Sequence, residues 1–341
     1  MRIAILSPIA WRTPPRHYGP WELVASTIAE GLINKGHDVT LFATGDSMTK
    51  GKLDAVCPKP YEEVGDMDVK VWESLHISNL MEKAGSFDLI HNHYDFLPLT
   101  YSKLIKTPMI TTIHGFSSEQ IIPVYKKYNA TSTYISISDA DRHPQLEYDR
   151  TIYHGIDETK FKFCENKEDY LLFYGRIHPN KGTSEAIEIA RLSGYPLIIA
   201  GLIQDQDYFN RNIAPRIDDK NVIYLGNVSQ AEGDKLLGNA KVLLHPISFD
   251  EPFGLSVAEA MMCGTPVIAF SRGSMPELIE PGKTGYLVHQ VSDAVDAVNS
   301  LNDIDPFYCR AHALEKFSLD RMITEYIKAY ESLLFHSCKN Y

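Results

Sequence analysis

SFDEPFGLSVAEAMM, residues 248–262, joins a turn-forming run to a helix-forming run and carries two carboxylates. Glu251 lies among Asp, Pro and Gly residues that favour a turn, whereas Glu259 lies among Ala, Leu and Met residues that favour a helix. A helix that begins here exposes backbone N–H groups that form an anion site, and these belong to Phe253, Gly254 and Leu255. Glu259 then lies roughly 7.5 Å further along the helix axis. This spacing suits a long ligand with a central phosphate and hydroxyls at both ends, as in a nucleotide sugar.

Length and charge limit the class of protein. The 341 residues are long for one domain and fit two domains that each bury a core. Acidic residues outnumber basic ones by 44 to 33, and the net charge of −11 argues against a surface for nucleic acid or anionic membranes. The five cysteines form no CxxC pair, so neither a disulfide framework nor a zinc site is indicated, and a reducing cytoplasm is the simplest setting. No apolar run approaches the roughly 20 residues that span a bilayer.

Short apolar runs alternate with helix-forming segments along the chain, which indicates βαβ units and parallel sheets. The alternation stops around residues 153–164 and then resumes. We therefore expect an α/β protein with two Rossmann-like, doubly wound domains, one over residues 1–157 and one over 165–318. In the last stretch, Leu319 to Phe335, apolar residues recur three and four positions apart and predict an amphipathic helix.

Loops that follow the strands of a parallel sheet are where ligands bind. In the second half, the loop GRIHPNKG follows a predicted strand and places Arg176 and Lys181 where both can meet one diphosphate. Arg forks onto two phosphate oxygens and Lys acts as a movable point charge, although a solvated surface pair is the alternative. The turn GNVS follows another predicted strand, and the backbone of Asn227 and Val228 can line a pocket for a base.

In the first half, His114 follows an apolar strand, and it is either a ligand-pocket residue or a hydrogen-bonded core histidine. HNHYD at residues 91–95 offers three potential metal ligands on one face of a strand, but no partner ligand at helical spacing supports a metal site, and we expect none. The loop over residues 10–21 can stack on a sugar and pair with an anion, or line a cleft without a ligand. Its candidate acceptor-binding residues are Arg16, Tyr18 and Trp21.

Two common nucleotide-binding patterns are missing. GxGxxG occurs in neither half, which removes the main support for a nicotinamide-dependent dehydrogenase. Gly282–Thr284 spells GKT, but a phosphate-binding P-loop needs glycine where Glu277 stands.

FDEPFGLSVAEAM, with GRIHPNKG before it and GTPVIAFSRGSMPELI after it, resembles the family 4 retaining glycosyltransferases of the GT-B fold, whose two acids form a Glu-x7-Glu motif. The likeness extends to GHDVTLFATGD and IHGF in the first half. It implies two Rossmann-like domains that face each other across a cleft. The C-terminal domain then holds the nucleotide sugar, and the final segment, residues 319–341, crosses back to the N-terminal, acceptor-side domain.

The resemblance also implies a role for each candidate residue. Glu259 binds ribose hydroxyls, and Glu251 contacts the transferred sugar near the reacting centre. Arg176 and Lys181 hold the diphosphate with help from the amides of residues 253–255, and His114 lines the sugar pocket near the anomeric carbon. The implied reaction moves a hexose, with retention, from UDP-hexose or GDP-hexose to a hydroxyl of a soluble small-molecule or glycan acceptor, and it needs no metal or other cofactor.

One departure from the family pattern concerns its N-terminal loop, which usually carries two glycines. Here Gly19 is followed by Pro20, which has no N–H to donate. We expect Gly19 to keep a close approach to the donor, and Arg16 or Tyr18 to replace the lost hydrogen-bond donor.

Two other functions remain open on the sequence. UDP-sugar epimerases share the architecture and convert the donor without an acceptor, although EPFGLSVAEAM argues against that class. A non-catalytic sensor would bind the nucleotide sugar without transfer or hydrolysis, and the presence of Arg176, Lys181 and Glu251 argues against it.

Overall fold

The structure of the chain is a computed structural model that describes residues 1–339. Asn340 and Tyr341, the end of the predicted crossing segment, lie outside the described residues. The chain forms two compact units. The first contains Met1–Ile137, Arg142–Gly155 and the chain from Leu319, and the second contains Ser138–Asp141 and Ile156–Ser318.

Ser138–Asp141 departs from the division expected from the sequence, which assigns it to the first domain. Two backbone N–H groups of this segment, those of Asp139 and Ala140, donate to the Glu277 carboxylate at 2.9 and 2.7 Å. These bonds fasten the segment to the second unit.

The first unit is built on a parallel sheet with strand order β3-β2-β1-β4-β5-β6-β7. Its central strands are buried apolar runs, as strands covered on both faces must be. The strands are β1 (Arg2–Leu6), β2 (Asp38–Phe42), β3 (Lys52–Asp54), β4 (Leu89–Asn92), β5 (Met109–Ile113), β6 (Thr133–Ser136) and β7 (Arg150–Thr151). The helices are α1 (Pro20–Asn34), α2 (Val69–Glu82), α3 (Ile122–Tyr128) and the C-terminal helix (Leu319–Lys339).

The C-terminal helix packs on α1. Gly31 of α1 has room only for its hydrogen atom, because a Cβ there would lie 2.5 Å from the Ile323 side chain. Tyr326 and Tyr330 follow one and two turns later and are fully buried. The apolar stripe predicted for this segment therefore has a partner. None of the helices within residues 1–339 combines the length and the apolar character needed to cross a membrane.

The second unit has a parallel sheet with strand order β10-β9-β8-β11-β12-β13. Its strands are β8 (Leu171–Tyr174), β9 (Leu197–Ala200), β10 (Val222–Tyr224), β11 (Val242–His245), β12 (Val267–Phe270) and β13 (Gly285–Val288). Its helices are α4 (Thr183–Ser193), α5 (Gln206–Tyr208), α6 (Gln230–Asn239), α7 (Leu255–Met262), α8 (Met275–Leu278), α9 (Val291–Asn299) and α10 (Pro306–Phe317).

The two sheets confirm the prediction of two doubly wound α/β units. The strand order reverses direction between β1 and β4 in the first unit and between β8 and β11 in the second. Loops leave such a reversal point in opposite directions and open a crevice beyond the carboxyl ends of the strands. The loops after β8 and β11 carry the candidate residues of the second unit.

Candidate active site

Lys181 and Glu251 meet at the reversal point of the second sheet, where their side chains form an ion pair. Lys181 lies in the loop after β8, and Glu251 lies in the loop after β11, the neighbouring strand. The two loops touch at Gly182, where a Cβ would lie 1.9 Å from the Pro246 carbonyl oxygen. The N–H of Ser248 also donates to the carbonyl of Asn180 at 2.9 Å. Glycine at position 182 therefore allows the close approach that brings the two charges together.

The pair is largely withdrawn from water, with side-chain exposures of 15% for Lys181 and 12% for Glu251. Burial by itself raises the pKa of Glu251, but the neighbouring His245 and Lys181 side chains outweigh it and lower the pKa to about 2. His245 Nε2 lies 3.5 Å from a Glu251 carboxylate oxygen. Burial lowers the pKa of Lys181, and Glu251 opposes that shift. Glu251 is therefore an ionised carboxylate at neutral pH.

The loop after β12 packs closely against the backbone of Glu251. A Cβ at Gly273 would lie 2.4 Å from the backbone nitrogen and oxygen of Glu251, and the N–H of Ser274 donates to the Glu251 carbonyl at 2.9 Å. The buried Ser274 hydroxyl also donates to the carbonyl of Phe253 at 2.7 Å. These contacts fix the turn between Glu251 and α7.

Helix α7 begins at Leu255, directly after Gly254, which has the left-handed conformation (φ 93°) and provides no side-chain cap. The positive end of the helix dipole thus lacks a capping side chain, and a helix start of this kind suits an anion. Phe253 packs edge-on against Phe317 at 5.8 Å, which holds the loop before the helix.

Arg176 lies just beyond β8, and its guanidinium donates to the side chain of Gln204. Its charge lowers the pKa of Lys181, so the two cations are close enough to interact. The structure thus gathers Arg176, Lys181 and Glu251 at one end of the sheet.

Glu259 is buried inside α7, with only 8% of the residue exposed. Burial raises its pKa to about 7. Within residues 1–339, no donor hydrogen-bonds its carboxylate. Burial together with the charge of Glu259 raises the pKa of Tyr174 at the end of β8, so the two side chains are neighbours. A buried carboxylate without donors is costly, which makes Glu259 ready to accept hydrogen bonds from a ligand.

Asn227 and Val228 follow β10, the outermost strand on the β8 side of the sheet. Their turn joins the loop after β9 through the N–H of Gly201, which donates to the carbonyl of Gly226 at 2.8 Å. They share the carboxyl-end edge with Lys181 but lie two strands away from β8.

The predicted close approach at Gly19 is made by the protein itself. A Cβ at Gly19 (φ 148°) would lie 2.9 Å from Pro15 and 3.1 Å from Trp11. Pro20 is the first residue of α1, a position where a missing N–H costs nothing. Packing within this loop therefore explains why position 19 is a glycine.

Glu22, in the first turn of α1, lies against Gly19, and a Cβ at that glycine would be 3.2 Å from its Oε2. Its buried carboxylate accepts the N–H of Trp11 at 3.1 Å, and burial raises its pKa to about 7. Arg16 pairs with Asp46 and Glu63, so two acids already engage its guanidinium. Tyr18 packs edge-on against Trp11 at 6.0 Å.

His114 is 7% exposed and lies in a cluster of aromatic rings. Trp21 stacks against it at 5.5 Å, and His154 stacks against it at 5.3 Å. Its Nε2 hydrogen-bonds His93 Nδ1 at 2.9 Å. Strand β4 ends at Asn92, so the strand does not continue through Asp95 as the sequence suggested. No three His, Cys, Asp or Glu side chains in the described part of the chain are arranged to hold a metal ion.

Sequence reasoning missed two residues that the structure places at these sites, His245 and Glu22, and it considered His93 only as a metal ligand. The signal for His245 was its position at the end of a strand, six residues before Glu251. The signal for Glu22 was an acid in the first turn of a helix, where an N–H can bind it.

Two family models match the chain. One, described as "Glycosyltransferase Family 4", matches residues 22–160, and the other, described as "Glycosyl transferases group 1", matches residues 156–308. An uncharacterized glycosyltransferase of Methanocaldococcus jannaschii is 24% identical over 97% of this chain and 98% of its own length.

Solved structures share the fold over nearly the whole chain. AviGT4, a glycosyltransferase involved in avilamycin A biosynthesis, has a TM-score of 0.75 and 23% identity, and the match covers 98% of both chains. HepE of Anabaena, solved in complex with UDP and glucose, has a TM-score of 0.75 and 20% identity, and the match covers 97% of this chain and 100% of that one. The chain is therefore a glycosyltransferase of the GT-B fold, in the group that the family 4 and group 1 models describe.

Proposed function

We propose that this protein is a metal-independent, retaining glycosyltransferase that moves a hexose from UDP-hexose or GDP-hexose to a hydroxyl of a soluble acceptor. The observation that carries the proposal is the part-buried Lys181–Glu251 pair at the reversal point of the second sheet, beside the uncapped start of α7. A diphosphate at this point meets two cations and a helix terminus.

The positive groups act on the leaving group. As the bond between the anomeric carbon and the phosphate oxygen breaks, negative charge grows on the diphosphate, and Lys181, Arg176 and the start of α7 stabilise that charge. The acceptor oxygen forms the new bond on the same face of the sugar, and its proton passes to the departing phosphate oxygen. The ionised Glu251 accepts hydrogen bonds from hydroxyls of the transferred hexose.

Glu259 binds the nucleoside part of the donor. Its carboxylate is buried and has no donor in the described chain, and two ribose hydroxyls supply the missing hydrogen bonds. Because ribose is the same before and during the reaction, this contact contributes to donor affinity and not to the rate of the chemical step. HepE binds UDP and glucose, which makes UDP-glucose the first donor to test.

The experiment incubates the protein with UDP-hexoses and GDP-hexoses, with and without candidate acceptors, and follows UDP or GDP release together with the anomeric configuration of the product. The proposal predicts nucleotide release that rises with acceptor and a product with the configuration of the donor. An inverted product contradicts retention. Conversion of the donor sugar without acceptor indicates an epimerase, and binding without release indicates a sensor.

A further inference from the structure

Two neighbouring strands of the first sheet present polar residues on one face. His91 in β4 pairs with Ile110 in β5. Alternate residues of a strand share a face, so His91 and the following His93 lie beside Thr112 and His114. The sequence motifs HNH (residues 91–93) and TIH (residues 112–114) therefore lie side by side beneath the C-terminal helix.

The rings of these two motifs form a continuous chain of hydrogen bonds. From His114 Nε2 the chain runs to His93 Nδ1 at 2.9 Å, and from His93 Nε2 to His91 Nδ1 at 3.2 Å. His91 also bonds the Tyr330 hydroxyl and the Thr112 hydroxyl, each at 2.7 Å. Thr112 in turn bonds Tyr326 at 2.9 Å. We call His91, His93 and His114 the histidine ladder, and its far end is fixed by two tyrosines of the C-terminal helix.

The three ladder rings are neutral. Burial lowers the pKa of His91, of His93 and of His114 well below the usual value, and a charge on any one opposes charge on another. A neutral imidazole has one N–H and one lone pair. When one ring of the ladder takes a tautomer, hydrogen bonding therefore dictates the tautomer of the next.

One of the two ring nitrogens of His114 takes part in the ladder and the other does not. Its ring stacks against Trp21 and His154, and its Nε2 is bonded to His93. Its Nδ1 is buried and has no hydrogen-bond partner in the part of the chain that the structure describes. Leaving a buried polar atom without a hydrogen-bond partner is costly, and one that persists calls for an explanation.

We propose that His93 is a positioning residue for His114: it holds the ring in one orientation and one tautomer, so that Nδ1 is the ring atom left to exchange a hydrogen bond with a ligand. This inference rests on the proposed function: it takes His114 to be one of the groups that serve the transfer reaction, as the resemblance implies. Through the ladder, the C-terminal helix also helps to orient His114.

The test compares two substitutions of His93. His93→Asn keeps an amide atom near the position of Nδ1, whereas His93→Leu keeps the bulk and removes the hydrogen bond. With labelled histidine, the nitrogen signals of the ligand-free protein report the tautomer of each ring. We expect one tautomer for His114 in the unsubstituted protein, a mixture in His93→Leu, and restoration in His93→Asn.

The same variants carry a kinetic readout. His93→Leu should lower kcat by about 10- to 100-fold, the loss typical of removing a partner that orients a functional histidine, with little change in the donor KM. His93→Asn should recover most of that loss. His76→Leu is the matched control, because His76 is equally buried and its Nε2 bonds the Ser7 carbonyl at 2.9 Å, apart from the ladder.

An unchanged His114 tautomer in His93→Leu overturns the proposal, and so does a His93→Asn variant that is no better than His93→Leu. The nitrogen signals need no substrate, so they decide the positioning role even when no transfer is found, and an absence of transfer counts against the proposed function alone. If His93→Leu does not fold, Tyr330→Phe replaces it, since this change removes one oxygen at the far end of the ladder. Unchanged ring signals of His91 and His93 in that variant also contradict the proposal.

Discussion

Lys181 and Glu251 stand 70 residues apart in the sequence and form a part-buried ion pair. Their loops follow β8 and β11, which are neighbours in the sheet although β9 and β10 separate them along the chain. Gly182 and Gly273 each allow a backbone contact that no larger residue permits, and these contacts hold the two loops in place. The central charge arrangement of the site thus follows from strand order and two glycines.

Replacing Lys181 should slow the chemistry. Lys181→Ala removes one charge that stabilises the departing diphosphate, and kcat should fall by roughly 10²–10³-fold. Lys241→Ala is the matched control, because this lysine also pairs with an acid, Asp169, but precedes β11 at the opposite edge of the sheet. Initial rates of nucleotide release at saturating donor measure both variants. A Lys181→Ala enzyme with nearly normal kcat would remove Lys181 from the mechanism.

Replacing Glu259 should weaken donor binding more than turnover. Glu259→Ala removes the acceptor of the ribose hydrogen bonds, which are alike in the ground state and the transition state, so the donor KM should rise about 10- to 100-fold with kcat nearly unchanged. Steady-state kinetics over a range of donor concentrations separate the two constants. A pure loss of kcat would instead assign Glu259 to the chemistry.

Donor binding should release a proton near neutral pH. Burial raises the pKa of Glu259 to about 7 in the ligand-free protein, and hydroxyl donors that stabilise its charged form lower that pKa. Nucleotide affinity should therefore fall as the pH drops from 8 to 6. Calorimetry in two buffers of different ionisation enthalpy counts the protons released on binding. The Glu259→Gln substitution should abolish this proton release. Equal proton release by the Gln variant would mean that another group titrates.

Protonation of Glu251 should lower the stability of the folded protein at acid pH. Its pKa is about 2 in the folded protein, against an ordinary value of 4.5. A carboxyl with a lowered folded pKa adds stability above its unfolded pKa and loses it as the pH falls through the folded value. Acidification from pH 6 to pH 3 should thus destabilise the unsubstituted protein more than Glu251→Gln, as measured by far-ultraviolet circular dichroism in denaturant. Parallel curves for the two proteins would show that the Glu251 carboxylate gains no stability from His245 and Lys181.

Most of the fold could be predicted because buried parallel strands are short apolar runs. Strands β1, β9 and β11 are such runs, and the amphipathic helix predicted for Leu319 to Phe335 lies within the C-terminal helix. The sequence did not indicate β3 or β7. Lys52–Asp54 lies at a sheet edge and lacks an apolar pattern, and Arg150–Thr151 has only two residues, so neither carries a periodic signal.

The site was only partly predictable for a physical reason. Residues in strand-end loops, such as Arg176 and Lys181, can be located from strand order because parallel strands end at one edge. The histidine ladder depends on which strands are neighbours and on ring orientation, which a single sequence does not state. Glu22 escaped notice because its carboxylate binds the N–H of Trp11, a contact made by the folding of the loop between them.

Calorimetric titration of the protein with UDP and with GDP tests the central claim most directly, because the claim places the diphosphate against Lys181 and α7 and the ribose against Glu259. The account predicts that one of the two nucleotides binds, that Lys181→Ala and Glu259→Ala each weaken this binding about 10- to 100-fold, and that Lys241→Ala does not. Binding of neither nucleotide, or binding that both site variants leave unchanged, would contradict the account.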